Sequence, residues 1–208
     1  IFEEASFMSE IPPTFILSRK PKEYLKQGLS HCGVYSVKAI LSAFGLDNRK
    51  HPKEYQTNWI GKNLFSMAIG EKYYDKIFQS YGVHSETRTA KNLSDDEKLT
   101  LLKELLSQDN PVMIRIGNGY LAEKYNSILG RLVPHWITLW GYDDPKQFFY
   151  VYDSGLPKNA WHANLPIGNT MRTYKEILRD WNFGRWQPWC WNTSAKDYLY
   201  VKLHINHA

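Results

Sequence analysis

The sequence predicts an α+β domain, with helical periodicity in its first half and short strand-like runs in its second. Three observations carry that expectation. Apolar residues recur at helical spacing after Cys32, Leu64 and Leu99. Apolar runs bounded by turn residues begin at Val112, His135 and Phe148. A chain of 208 residues with 43% hydrophobic and 23% charged residues is large enough for one ordinary core, and its balance excludes overall disorder. The whole chain, 1–208, is therefore expected to form a single domain.

The elements follow in order. Pro12, Pro13 and Pro21 make the first 26 residues an irregular lead-in with one short strand at Thr14–Leu17. Val34, Val37, Ile40, Leu41 and Phe44 share one helical face and Gly45 supplies the stop, so Cys32 falls in the first turn behind a Ser30 or His31 cap. A second helix is expected over Leu64–Tyr81 and ends at Gly82. Ser94-Asp95-Asp96-Glu97 reads as a capping box, opening a third helix through Leu99, Leu102, Leu105 and Leu106. Val112–Ile116 is then a strand ended by Gly117-Asn118-Gly119. His135–Tyr142 and Phe148–Asp153 make a hairpin across the Asp143-Asp144-Pro145 turn. A short helix over Thr173–Trp181 and a last strand over Tyr198–Leu203 complete the chain.

Composition narrows the function. The net charge of +5 is spread out, with Lys20 to Lys26 the densest basic stretch, so no nucleic-acid surface is expected. No run reaches the roughly 18 apolar residues of a membrane span, and no signal-peptide pattern opens the chain. Because the chain begins at Ile1, localisation stays open. Two cysteines, Cys32 and Cys190, exclude a disulfide scaffold and a four-cysteine zinc site. His162, His204 and His207 show no metal-ligand spacing with acidic partners, so neither metal nor cofactor is expected. Five of the eight tryptophans lie between Trp161 and Trp191, a cluster suited to packing a loop over the core or to lining a substrate wall.

One group of residues carries chemistry. A helix start places unpaired N–H groups and the positive end of the dipole beside the Cys32 sulfur, favouring the thiolate. Gly33 removes side-chain bulk where a substrate carbonyl would approach. Gln27, five residues upstream, offers a side-chain amide to a developing oxyanion, joined by the Cys32 backbone N–H. The hairpin brings His135, at the start of one strand, and Asp153, at the end of the next, to the same end of the sheet. Nucleophile, base and orienting carboxylate are the roles those three residue types fill.

The segment from Gln27 through Cys32-Gly33 to Leu41 resembles the Gln…Cys-Gly block of bacteriocin-processing (double-glycine leader) peptidases. Pro134-His135 through Gly141-Tyr142-Asp143-Asp144 resembles that family's His block, and Tyr150-Val-Tyr-Asp153-Ser-Gly155 its Asp block. The Tyr174–Trp181 stretch is similar to the segment that follows. The spacing from Gln27 to Cys32 is one residue shorter than the family commonly shows.

The resemblance implies a papain-like cysteine peptidase fold, with a nucleophile-bearing helical part at about 22–110 packed on a sheet part at about 111–208. It also implies a Cys32–His135–Asp153 triad with Gln27 as oxyanion donor, a thioester acyl-enzyme, and a peptide or protein substrate. An acyltransferase or amidase using the same triad, or a non-catalytic binding domain on this fold, are the alternatives.

Overall fold

The structure is a computed structural model, and it describes residues 11–28, 30–49, 51–56, 72–117, 119–121, 124–126, 128, 133–182 and 198–204. In chain order the elements are β1 (Thr14–Ile16), α1 (Cys32–Ala43), α2 (Tyr73–Ser80), β2 (His84–Thr89), α3 (Asp95–Ser107) and β3 (Val112–Gly117). There follow β4 (Tyr120–Leu121), β5 (Lys124–Tyr125), β6 (Pro134–Asp143), β7 (Phe148–Tyr152), β8 (Thr170–Thr173), α4 (Tyr174–Trp181) and β9 (Leu199–His204). Short 3-10 turns lie at Pro52–Tyr55 and Lys158–Ala160.

The main sheet is antiparallel, in the order β2-β9-β3-β6-β7-β8, and β1 pairs with the far end of β6. β6 is its spine. Its residues from His135 to Asp143 are all buried, the mark of a strand covered on both faces. A register shift between Leu139 and Gly141 bulges β6 against β7. Helix α1 lies against β6, and its residues from Gly33 to Ser42 are all buried. One of them is charged: Lys38 donates to Asp47 Oδ2 at 2.6 Å and to the Arg49 carbonyl at 2.7 Å. Asp47 also accepts from the Tyr55 hydroxyl. That stretch after α1 therefore neutralises a lysine that could not otherwise be buried.

The expected capping box forms on α3, and a second one that the sequence reading did not single out forms on α4. Ser94 and Glu97 close a capping box on α3, and Thr173 with Glu176 closes one on α4. The helix expected over 64–81 is present as Tyr73–Ser80, and its earlier part lies outside the described residues.

One strand contradicts the ordering of helices before strands. β2 runs His-Ser-Glu-Thr-Arg-Thr, without an apolar residue, between α2 and α3. As an edge strand it needs only β9 on one side, so the hydrophobic pattern that marks a buried strand is missing. β8 was also unmarked. It is four residues long, and its ladder to β7 does the work that side-chain patterning usually does. Among the described residues, no helix is long and apolar enough to cross a membrane.

Candidate active site

Cys32 is the first residue of α1 and is half-buried. His31 takes the N-cap position in the left-handed region, at φ 82°, and makes no side-chain cap bond. Its carbonyl instead accepts the Val34 and Tyr35 N–H groups, while its Nδ1 meets the Ser30 hydroxyl. The helix thus starts abruptly at Cys32, with no acidic residue in its first turn to offset the positive end of the dipole.

Gly33 has a different role from the one its position suggested. A Cβ there would sit 1.8 Å from the Tyr74 hydroxyl oxygen, so the space beside it is filled by a buried ring rather than left for a substrate. Tyr74 in turn packs edge-on against Trp136, with centroids 5.0 Å apart. Burial first, and then the negative charge of Cys32 as a thiolate, hold the Tyr74 phenol well above its ordinary value. The residue next to the sulfur is therefore a neutral hydroxyl.

His135 and Asp153 meet as the hairpin predicted. His135 Nε2 lies 2.7 Å from Asp153 Oδ1, and both side chains are buried. The Cys32 sulfur is close enough to the His135 ring to act on its charge. With Nε2 committed to the carboxylate, Nδ1 is the nitrogen left for the sulfur. Burial alone would lower the His135 pKa. The Asp153 carboxylate and the Cys32 thiolate outweigh it and push the imidazole up to about 10. Asp153 moves the opposite way: burial would raise it, yet His135 and Arg172 hold it well below the usual carboxylate range.

Asp153 is held from every side. Its Oδ1 also accepts the Gly155 N–H at 2.9 Å, and its Oδ2 accepts from Arg172 Nη2 at 2.7 Å. Arg172 donates its other terminal nitrogen to Asp180 at 3.1 Å. The Asn169 side chain accepts the Asp153 N–H at 2.8 Å and donates to its carbonyl at 2.9 Å, extending the ladder one residue past the end of β7. Gly155 lets the chain pass close to the ring, since a Cβ there would lie 3.0 Å from His135 Cε1.

Gln27 is brought to the same place, and it is buried. Its backbone N–H donates to the Ser154 carbonyl at 2.9 Å, and its Oε1 accepts from the Ser154 hydroxyl at 2.6 Å. The preceding residues are anchored too: the Tyr152 hydroxyl donates to the Leu25 carbonyl at 2.6 Å, and the Tyr24 hydroxyl accepts the Gly168 N–H at 2.8 Å.

Cys32, His135, Asp153 and Gln27 thus converge around the start of α1 and the adjoining end of the β6–β7 hairpin. Ser154, Asn169, Arg172 and Tyr74 hold them there and were not singled out by sequence. Ser154 carried a faint signal as the neighbour of Asp153, whereas Arg172 and Tyr74 carried none, because their partners are distant in the chain. Trp181 is fully buried and donates to the Leu199 carbonyl at 2.8 Å, a packing role. Trp186, Trp189, Trp191 and Cys190 lie outside the described residues.

Residues 14–182 match the Peptidase_C39 like family. Among solved structures, the chain is similar to a double glycine motif protease from an AMS/PCAT transporter, crystallised in complex with the leader peptide. The TM-score is 0.51 at 12% identity, over 90% of this chain and 92% of that one. It also aligns with a putative C39-like peptidase from Bacillus anthracis, at TM-score 0.47 and 13% identity over 96% of both chains. A third alignment is with UfSP from C. elegans, at TM-score 0.47 and 16% identity, over 93% of this chain and 34% of that one. No curated protein matches. The first of these structures, with the family match, agrees with the papain-like α+β architecture expected from sequence.

Proposed function

The chain belongs to the Peptidase_C39 like family, and we propose that it is a cysteine peptidase acting through a thioester acyl-enzyme. Cys32 is the nucleophile, His135 its base and then its acid, and Asp153 the orienting carboxylate. The Gln27 side-chain amide and the Cys32 backbone N–H receive the oxyanion. The observation that carries this reading is the buried pair of His135 Nε2 and Asp153 Oδ1 at 2.7 Å, with Cys32 close enough to act on the charge of the ring.

The chemistry follows from the charges. His135 takes the thiol proton, and the resulting thiolate attacks a peptide carbonyl, forming the C–S bond. The carbonyl electron pair moves to oxygen, beside the two N–H donors. Collapse of that intermediate breaks the C–N bond, and the imidazolium gives its proton to the leaving amine. Water, deprotonated by the now neutral His135, attacks the thioester and releases the acid and the thiol. Asp153 remains ionised throughout and stabilises the imidazolium at each stage.

A peptide is the substrate class we favour, since the double glycine motif protease similar in fold was crystallised with its leader peptide. On this reading the helical part supplies the nucleophile and the sheet part its base, and the two work as one domain.

Two measurements test the proposal. A thiol-alkylating reagent labels Cys32 faster than Cys190 near neutral pH, and equal, slow labelling of both would sink the activated-thiol reading. Cys32→Ala abolishes hydrolysis of a peptide library by the full chain with its circular dichroism unchanged. Hydrolysis that survives this change would move the nucleophile elsewhere.

A further inference from the structure

Away from Cys32, the sheet edge assembles three metal-ligating side chains that spacing along the chain does not reveal. β2 and β9 pair antiparallel over six residues, with His84 directly opposite His204 and Glu86 opposite Lys202. Strand alternation puts His84 and Glu86 on one face of β2, and direct pairing puts His204 on that same face. One donor atom from each of the three lies within 4.8 Å of the other two. The imidazole rings already stand side by side, with centroids 5.2 Å apart and planes 51° to each other. Both histidines are exposed and Glu86 is half-buried, so a cation reaches them from solvent.

We propose that His84, Glu86 and His204 form a binding site for a divalent transition-metal ion of the zinc class, with water completing its coordination. Two imidazole nitrogens and one carboxylate oxygen are a borderline donor set. Zinc and its neighbours favour that set, whereas calcium and magnesium favour oxygen alone. Bond lengths of about 2.0–2.2 Å put neighbouring donors about 3.3 Å apart in a tetrahedral shell, so the present spacing closes by side-chain rotation. The backbone need not move, because the six-residue ladder fixes all three Cα positions.

Charge sets the expected strength. Arg88 Nε donates to Glu86 at 2.6 Å, and Lys202 stands opposite it, so a metal exchanges an exposed ion pair for a metal–carboxylate bond. Exposed ion pairs contribute little and are readily given up. The two cations nevertheless repel the metal, so it is held less tightly than at a closed four-ligand structural site. Occupied, it would staple the edge strand β2 to β9, which lies between β2 and β3. The site is independent of the peptidase reading, since none of its residues touches the Cys32 group.

The test is calorimetric titration of zinc chloride into the full chain carrying Cys32→Ala and Cys190→Ala, which removes both thiols as rival ligands. One equivalent is expected to bind. His84→Ala and His204→Ala should each weaken that binding at least about tenfold, Glu86→Gln should weaken it less, and His162→Ala should leave it unchanged. Cobalt(II) bound at the same site is expected to show visible absorption that disappears in the His84→Ala/His204→Ala double variant. Absence of saturable zinc binding, or binding undiminished in a folded double variant, overturns the proposal.

Discussion

Ser154 donates its hydroxyl to Gln27 Oε1 at 2.6 Å, while its own carbonyl accepts the Gln27 backbone N–H at 2.9 Å. A side-chain amide has two faces, and this bond decides which one is presented. With Oε1 occupied by Ser154, the NH2 group is the face available for the oxyanion role we propose for Gln27. Ser154 is joined directly to Asp153, so one dipeptide orients both the imidazole and the amide.

Removing that hydroxyl should cost rate rather than binding. Ser154→Ala is expected to lower kcat about tenfold with little change in KM, against the loss of about 10²–10³ for a missing oxyanion donor in Gln27→Ala. In a Gln27→Ala background Ser154→Ala should add nothing, and an additive loss would show that Ser154 acts by another route.

Asp153 raises the His135 pKa, so its charge should set the alkaline limb of hydrolysis. The imidazole, pushed up to about 10, loses its proton there in the native chain. Asp153→Asn removes the largest favourable contribution to that rise, so the limb should move to lower pH, with kcat reduced about 10²-fold or more. The pH–rate profile and the NMR titration of His135 check this together; an unmoved limb argues against the pairing as the source of the shift.

The same pair links stability to pH. The raised His135 pKa contributes stability that is complete below about 6.5 and is lost as pH rises through about 10. The lowered Asp153 pKa contributes stability that is present above the ordinary 3.8 and is lost as pH falls below it. Denaturant midpoints of the native chain should therefore fall in both directions, and Asp153→Asn should flatten both limbs.

Arg172 is a half-buried guanidinium between two carboxylates, Asp153 and Asp180. Arg172→Met leaves Asp153 with His135 and Asp180 with Arg179 but both without their shared partner, and is expected to destabilise the chain by about 1–3 kcal/mol. Chemical denaturation measures the loss. A loss below about 1 kcal/mol would show that water or another cation substitutes freely.

Gly33→Ala places a methyl group inside the van der Waals radius of the Tyr74 ring, which is buried and packed edge-on against Trp136. Overpacking of this kind costs about 1–3 kcal/mol. Thermal melting together with the Cys32 alkylation rate checks it, and both should fall. An unchanged melt would mean that the ring yields.

The two parts of this architecture differed in how far they could be read from the chain. Helix α1, the α3 capping box and the β6–β7 hairpin are set by neighbours in the chain, through hydrophobic period, Ser94 with Glu97, and the turn at Asp143–Pro145. They were legible for that reason. β2 was not, because a polar edge strand is specified by the partner it pairs with rather than by its own pattern. Cys32, His135, Asp153 and Gln27 were legible as residue types in order. The group that holds them was not: Arg172 reaches Asp153 across 19 residues, and Ser154 reaches Gln27 across 127.

By itself, then, the sequence determined which helices and hairpin form and which four residues to look for, since local periodicity, caps and turns act between near neighbours. Only the tertiary structure decided which face of the Gln27 amide Ser154 takes, which atoms surround Asp153, what fills the space beside Gly33 and which three side chains meet at the β2–β9 edge. Those are set by side chains far apart in sequence, and burial makes their hydrogen bonds and charges matter once the chain has closed around them.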